Sequence, residues 1–341
     1  MKIEIKNQVS LASLNTFGID CMTSKFVVVR QFEDLLAVIR STELKEVPKF
    51  ILGGGSNILL LSNYEGLTIN NDLKGIRKIH EDEEHVWVES MGGEEWVDLV
   101  DYCVARNWGG IENLTLIPGS VGAAPMQNIG AYGVELCDVF DSLLAIDLES
   151  GGFRIFDKDD CEFAYRQSIF KNKLKDKYFI ASVVIRLSKK PKLNMSYGAI
   201  GKKFEEEQLE KTVANLSKVV ADIRRSKLPD PKVIGNSGSF FKNVVVPRAK
   251  LVEIETNYEN VPSYAVDDPS MVKIPSGWLI EKCGWKGKRV GNTGTYKNQA
   301  LVLVNHGGAT GEEVLKLSDE IMRSVKERFG IELDREVNVI A

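Results

Sequence analysis

The chain has 341 residues, of which 43% are hydrophobic and 27% charged, with a net charge of −4. That length allows two or three globular domains. Mild acidity with scattered basic residues excludes a nucleic-acid binder, which carries a basic stripe, and no apolar run reaches the roughly 18 residues of a membrane span. Met1–Val9 alternates charge with isoleucine and has no signal-peptide pattern. The five cysteines, Cys21, Cys103, Cys137, Cys161 and Cys283, form no CxxC pair and read as reduced thiols of a cytoplasmic protein. The three histidines are too few and too dispersed for a metal site, so no metal is expected.

In chain order, Phe26–Arg30 reads as a strand, Glu33–Arg40 as a short helix and Phe50–Leu52 as a second strand. Gly53–Asn57 breaks the pattern before the apolar Ile58–Leu61. Val86–Met91 is another strand, and Glu94–Arg106 an amphipathic helix with Trp96, Leu99, Val100, Cys103 and Val104 at helical spacing. Strands at Ser142–Asp147 and Phe179–Leu187 follow, then a helix over Leu209–Arg225 that stops before Leu228–Pro229–Asp230–Pro231, a linker by composition. A long helix at Glu312–Phe329, capped by Gly330, and a final strand over Ile331–Ile340 end the chain. The order reads as α+β with mixed sheets in about three domains, the last strand returning to the first.

Chemistry concentrates in a few segments. Ile117–Leu136, IPGSVGAAPMQNIGAYGVEL, is small, almost uncharged, and neither a good helix nor a patterned strand. Its glycines let backbone approach a large flat ligand, with Ser120, Gln127, Asn128 and Tyr132 interleaved as polar groups. Gly53–Gly54–Gly55–Ser56–Asn57 follows a strand and suits a backbone nest for pyrophosphate; it is equally a tight turn, and lacks both the GxGxxG spacing and the P-loop lysine. Arg166 in Tyr165–Ser168 is either a carboxylate clamp or a surface ion pair. Asn236–Asn243 places Ser239 on a glycine turn, able to donate a proton or simply to cap the turn. Tyr197, Lys227 and Gln299 are candidate phosphate contacts or plain surface, and Glu336 is an exposed strand carboxylate or an active-site group.

Together these segments resemble one family, the UDP-N-acetylenolpyruvoylglucosamine reductases. Asn15–Thr16–Phe17, LGGGSNILL from Leu52, the Ile117–Leu136 run, YRQSIFK from Tyr165 and SKLPDPKVIGNSGSFFKN from Ser226 carry the resemblance. So do WLIEKCGWKG from Trp278, NQALVLVN from Asn298 and the final LDREV. Met195–Ser196–Tyr197–Gly198 and the insert after it look like the type I enzymes, in which a tyrosine-bearing loop folds over the substrate. Val244 departs from the proline that many relatives carry there.

The resemblance implies a vanillyl-alcohol-oxidase-type FAD-binding fold: two α/β subdomains, residues 1–72 with 331–341 and residues 73–228, then a substrate-binding domain over 229–330. It implies FAD held by Gly53, Gly54, Gly55, Ser56 and Asn57. It adds Pro118, Gly119, Ser120, Gly122 and Ala123, then Gln127, Asn128, Gly130, Ala131 and Tyr132 from the glycine-rich run. NADPH is the implied reductant and an enolpyruvyl UDP-sugar the implied substrate. Arg166 would steady the substrate carboxylate with Glu336, protonated when it donates a hydrogen bond. Ser239 would protonate Cα, and Tyr165, Tyr197, Lys227, Asn243 and Gln299 would hold the UDP-sugar. A monomer is expected. Two other readings compete: a different FAD oxidoreductase on this scaffold, and a catalytically silent nucleotide-sugar sensor.

Overall fold

The computed structural model describes residues 3–341; Met1 and Lys2, the first two residues of the charge-alternating Met1–Val9, lie outside them. Two compact units emerge, the first made of the described residues up to 10 with 22–55 and 64–226, the second of residues 11–21, 56–63 and 227–341.

The first unit holds two sheets. In one, the strands Met22–Val29, Tyr64–Asn71 and Lys49–Leu52 run parallel, and Lys6–Ser10 adds an antiparallel edge. β-Branched side chains along Met22–Val29 favour the extended backbone. The helix Phe32–Arg40 covers the sheet and buries Leu35 and Val38 among Val27, Val29, Leu67 and Ile69. The second sheet is antiparallel, in the order Phe153–Asp157, Phe140–Asp147, Tyr178–Ser188, His85–Met91 and Ile76–Glu81. Ile146, Phe179 and Ala181 of this sheet join the core of the first, so the two sheets share apolar contacts within the unit. The helix Trp96–Val104 packs on the other core through Trp96, Leu99, Val100 and Cys103. Trp96 Nε1 donates to the Leu114 carbonyl at 3.1 Å, giving a buried ring nitrogen its partner.

The second unit contains a sheet ordered Gly235–Ser239, Val302–Asn305, Thr293–Thr295 and Arg289–Val290, and a smaller one of Val244–Pro247, Met271–Ile274 and Tyr264–Ala265. The helix Gly311–Phe329 buries Val314, Leu317, Ile321, Val325 and Phe329, one face at helical spacing. Its start is set by a reciprocal cap. Glu313 N donates to Thr310 Oγ1 at 3.2 Å and Thr310 N to Glu313 Oε2 at 2.8 Å. Gly330 closes it with a φ of +65°.

Three expectations change in the structure. The final strand is confined to Asn338–Ile340, which pairs in parallel with Ile58–Leu60. Upstream, Lys242 N donates to Asp334 O at 2.9 Å and Glu336 N to Phe240 O at 2.8 Å, so that stretch is spent on a separate, single-bridge pairing. The glycine-rich run is not wholly irregular, for Val121–Gln127 forms a 3-10 helix ended by Asn128 at φ +45°. The helix expected from Leu209 begins at Val213, because Leu209 N closes the preceding Gly198–Glu206 helix on Phe204 O at 3.1 Å.

Candidate active site

Two glycine-rich segments of the first unit meet backbone to backbone. A Cβ on Gly54 would stand 2.8 Å from Gly119 Cα, main chain that cannot swing aside, and one on Gly53 would run into Ser120 Oγ. Only glycine permits that approach. The 3-10 turn behind it is tied to the rest of the unit. Trp96 N donates to Gly119 O at 2.9 Å, Val121 N to Glu94 O and Gly122 N to Gly92 O, each at 2.8 Å. Pro118 and Ala123 stay exposed beside Gly53 and Gly54, leaving small residues on an accessible surface. Such a rigid, side-chain-poor surface fits a flat cofactor.

Further along, Gln127 Oε1 accepts from Lys171 Nζ at 3.2 Å. Asn128 is wholly buried, and its amide is committed internally: Nδ2 donates to Glu135 Oε2 at 2.8 Å and Oδ1 accepts from Cys137 N at 2.9 Å. Gly130–Ala131 pairs with Val134–Glu135 in a short hairpin, with Tyr132 at φ +52° in its turn. Tyr132 meets Tyr197 edge to face, ring centroids 5.0 Å apart. Burial lowers the pKa of the neighbouring Arg224, while Tyr132 holds it up. The buried Arg224 Nε has no partner among the described residues. A half-buried guanidinium whose buried Nε is unmatched fits a carbonyl or anionic ligand group. The cradle and Arg224 therefore fit FAD.

Arg166 lies on a tight turn in which Ala164 N and Gln167 O, and Gln167 N and Ala164 O, exchange bonds of 3.1 and 3.0 Å. Its φ is +54°, an uncommon conformation for a non-glycine residue. The guanidinium is gripped by the glycine-rich run: Nη2 donates to Gly130 O at 2.5 Å and Nη1 to Asn128 O at 3.4 Å, with Glu135 Oε1 3.8 Å away. Tyr165, the other corner residue, presents its ring centroid 5.3 Å from the guanidinium carbon. The arginine therefore has its geometry set in advance, as charge stabilisation requires.

The other expected groups lie in the second unit. Ser239 ends the strand Gly235–Ser239, and its Oγ makes no hydrogen bond among the described residues. Glu336 is anchored by its backbone, donating to Phe240 O at 2.8 Å and accepting from Asn57 Nδ2 at 3.3 Å. Ser239 and Glu336 thus flank Phe240 from adjacent backbone positions. Ser56 and Asn57 precede the strand Ile58–Leu60, and Asn57 O accepts from Asn338 N at 3.1 Å. Asn243 Oδ1 accepts from Ser276 N at 3.2 Å, while a Cβ on neighbouring Gly277 would stand 2.8 Å from Gln299 Oε1. Asn243 and Gln299 therefore gather at the start of the helix Ser276–Lys282. Lys227 is the last residue of the helix Val213–Lys227. Arg224, three residues earlier, was visible in the sequence only as part of the small basic cluster Arg224–Arg225–Lys227. Its half-buried side chain, with a fully buried Nε, separates it from the exposed Arg225.

Among the described residues no helix is long and apolar enough to cross a membrane. The family pattern described as FAD binding domain matches residues 23–154. A second, described as UDP-N-acetylenolpyruvoylglucosamine reductase, C-terminal domain, matches residues 230–340. A UDP-N-acetylenolpyruvoylglucosamine reductase of Flavobacterium johnsoniae is 47% identical over 99% of this chain and 100% of its own length. One from Pseudomonas aeruginosa is 43% identical over the same shares. The crystal structure of the Thermus caldophilus reductase superposes with a TM-score of 0.66 at 22% identity, covering 100% of both chains, a likeness of fold. The chain belongs to the UDP-N-acetylenolpyruvoylglucosamine reductase family.

Proposed function

We propose that the chain reduces the enolpyruvyl group of UDP-N-acetyl-3-O-(1-carboxyvinyl)-glucosamine, giving UDP-N-acetylmuramate for peptidoglycan precursor synthesis, with NADPH as reductant. The observation that carries this reading is the grip of the Asn128 and Gly130 carbonyls on Arg166. It joins the cofactor cradle to a carboxylate-binding charge in one piece of backbone.

When bound, FAD would supply hydride-transfer chemistry between NADPH and the terminal enolpyruvyl carbon, Cβ. Gly53, Gly54, Gly55, Ser56 and Asn57, with Pro118, Gly119, Ser120, Gly122, Ala123, Gln127, Asn128, Gly130, Ala131 and Tyr132, would hold that cofactor. As negative charge spreads from Cα into the substrate carboxylate, Arg166 balances it and Glu336 donates a hydrogen bond. Ser239 then gives its proton to Cα. Tyr165, Tyr197, Lys227, Asn243 and Gln299 bind the UDP-sugar. In this reading residues 1–72 with 331–341 and residues 73–228 are the FAD-binding subdomains, residues 229–330 bind substrate, and the protein is a cytoplasmic monomer.

Stopped-flow separation of the two half-reactions tests this. NADPH should bleach the flavin, and the enolpyruvyl UDP-sugar alone should restore its colour. Ser239→Ala should keep the first step and slow the second by about 10²- to 10⁴-fold. A protein that takes up no FAD would refute the reading. Equal slowing of both steps would remove Ser239 as the acid.

A further inference from the structure

Asn113 lies on the short turn Glu112–Leu114 of the first unit and is only 1% exposed. Its side-chain amide serves main chain from two distant segments. Nδ2 donates to Tyr132 O at 3.0 Å and to Asn194 O at 2.9 Å. Oδ1 is fully buried and has no hydrogen-bond partner among the described residues. A buried acceptor left unmatched costs stability, so what the amide contributes is its two donors. An apolar side chain of similar size would carry no unmatched oxygen, but it would leave both carbonyls without this donor.

The turn that carries Asn113 is itself fixed. Trp96 Nε1 holds the Leu114 carbonyl, and Thr115 Oγ1 donates to Glu112 O at 2.8 Å. Ser217 Oγ, on the helix Val213–Lys227, lies 2.8 Å from Thr115 Oγ1. The two segments that Asn113 joins also meet each other. Asn194 Nδ2 donates to Gly133 O at 2.9 Å, and a Cβ on Gly133 would stand 3.1 Å from Ser196 Oγ. Asn194 Oδ1 accepts from Ser196 N at 3.1 Å, one residue before Tyr197. Met195, Tyr197 and Tyr132 then pack together against the core of Ile200, Leu216 and Val220.

We propose that Asn113 is a positioning residue for substrate binding, its amide pinning the loop that carries Tyr197 to the turn that carries Tyr132. This rests on Tyr197 binding the UDP-sugar. A loop fixed before its ligand arrives loses less freedom on binding. The edge-to-face contact of Tyr132 with Tyr197, ring centroids 5.0 Å apart, marks the position in which the loop is held. Asn194 completes the clamp from the loop side through its bond to Gly133 O. Asn113 gives the substrate no group of its own; it acts only through where Tyr197 stands.

The test is calorimetric titration with the enolpyruvyl UDP-sugar of Asn113→Asp, Asn194→Ala and Tyr197→Ala, and of each asparagine variant combined with Tyr197→Ala. FAD content, flavin reduction by NADPH and amide hydrogen exchange over residues 193–200 are measured beside it. Asn113→Asp keeps the shape of the side chain but replaces its donors with acceptors. It should weaken substrate binding by about 3- to 10-fold, the weight of one hydrogen bond, and quicken exchange across the loop. FAD content and flavin reduction should stay unchanged. Asn194→Ala, at a half-buried position, should do the same, and it decides the matter if Asn113→Asp fails to fold. In the Tyr197→Ala background neither change should weaken binding further, because residues that act through one another are not additive. Full additivity overturns the proposal, since the asparagines would then act elsewhere. A normal substrate Kd in both asparagine variants beside a weak Tyr197→Ala also overturns it and leaves Tyr197 as a binding residue. Loss of FAD from Asn113→Asp overturns it too, moving the amide's role to the cradle. A normal Kd in Tyr197→Ala removes both readings.

Discussion

Arg166 and Ser239 are held in opposite ways. The arginine is seized on several sides, by the Gly130 and Asn128 carbonyls and the Glu135 carboxylate, on a turn that forces a left-handed φ of +54°. The serine sits at the end of a bulge, between Asn236 and Ser239, that is fixed in its backbone but leaves the hydroxyl without a protein partner among the described residues. A group that stabilises charge gains from being immobile, because reorganisation at the moment of reaction costs free energy. A group that gives away a proton must be free of a competing acceptor. Under the proposed roles, the contrast gives the charge-bearing arginine a rigid scaffold and the proton-donating serine a hydroxyl with no protein acceptor.

On the arginine side the largest kinetic effect should come from Arg166→Lys. A lysine keeps the charge but loses the fork that spans two carbonyls and a carboxylate. The second half-reaction should fall by about 10²- to 10³-fold with FAD content unchanged, and a normal rate would mean the grip is merely structural. Gly54→Val should strike the cradle itself, since its Cβ meets Gly119 Cα at 2.8 Å. The purified protein should be colourless by absorbance, with thermal unfolding lowered; full flavin content would break the link between the two glycine segments and the cofactor. Gly130→Val pushes on Arg166 directly, its Cβ 3.0 Å from Nη1. A drop of about tenfold in the second half-reaction only, measured by stopped flow, is expected from such a misplacement.

On the serine side, Asn236→Ala unfastens the bulge, since Asn236 Oδ1 accepts from Gly238 N and Nδ2 donates to Ile234 O, each at 2.9 Å. Calorimetry should show a loss of about 1–3 kcal/mol from the unsatisfied Gly238 N–H and Ile234 carbonyl. An equal loss of both half-reactions would show that the bulge supports more than Ser239. The smallest effect should be Thr310→Ala, which removes the cap of the Gly311–Phe329 helix. A destabilisation of about 1 kcal/mol by denaturant titration, with both half-reactions intact, is the expected control.

Much of the candidate site is legible in the sequence. GGGSN and the Ile117–Leu136 run stood out because close backbone approach leaves a compositional trace, glycine without pattern. Arg166 and Ser239 drew notice through their neighbours, a tyrosine-arginine pair and a glycine turn. Arg224 and Asn113 did not. An arginine in a helix reads as surface, and only the fold shows that its Nε is buried beside Tyr132. Asn113 reads as an ordinary polar residue until the fold sets the Tyr132 and Asn194 carbonyls against its amide. Asn128 carries a polar amide in a cofactor-like run, and its side-chain hydrogen bonds to Glu135 and Cys137 also fasten the hairpin, which only the fold shows.

What the sequence determined by itself were the local features. These are the helices Phe32–Arg40, Trp96–Val104 and Gly311–Phe329, whose apolar spacing and caps are short-range, and the glycine segments, whose composition is their signal. Tertiary structure alone decided the pairings. Nothing local says that Asn338–Ile340 lies beside Ile58–Leu60, or that Glu336 hangs its backbone on Phe240 and Asn57. Strand pairing depends on partners hundreds of residues away, and the hydrogen bond that selects one partner is the same bond that any other strand would offer. Side-chain burial across the whole core, not the segment's own pattern, makes the choice.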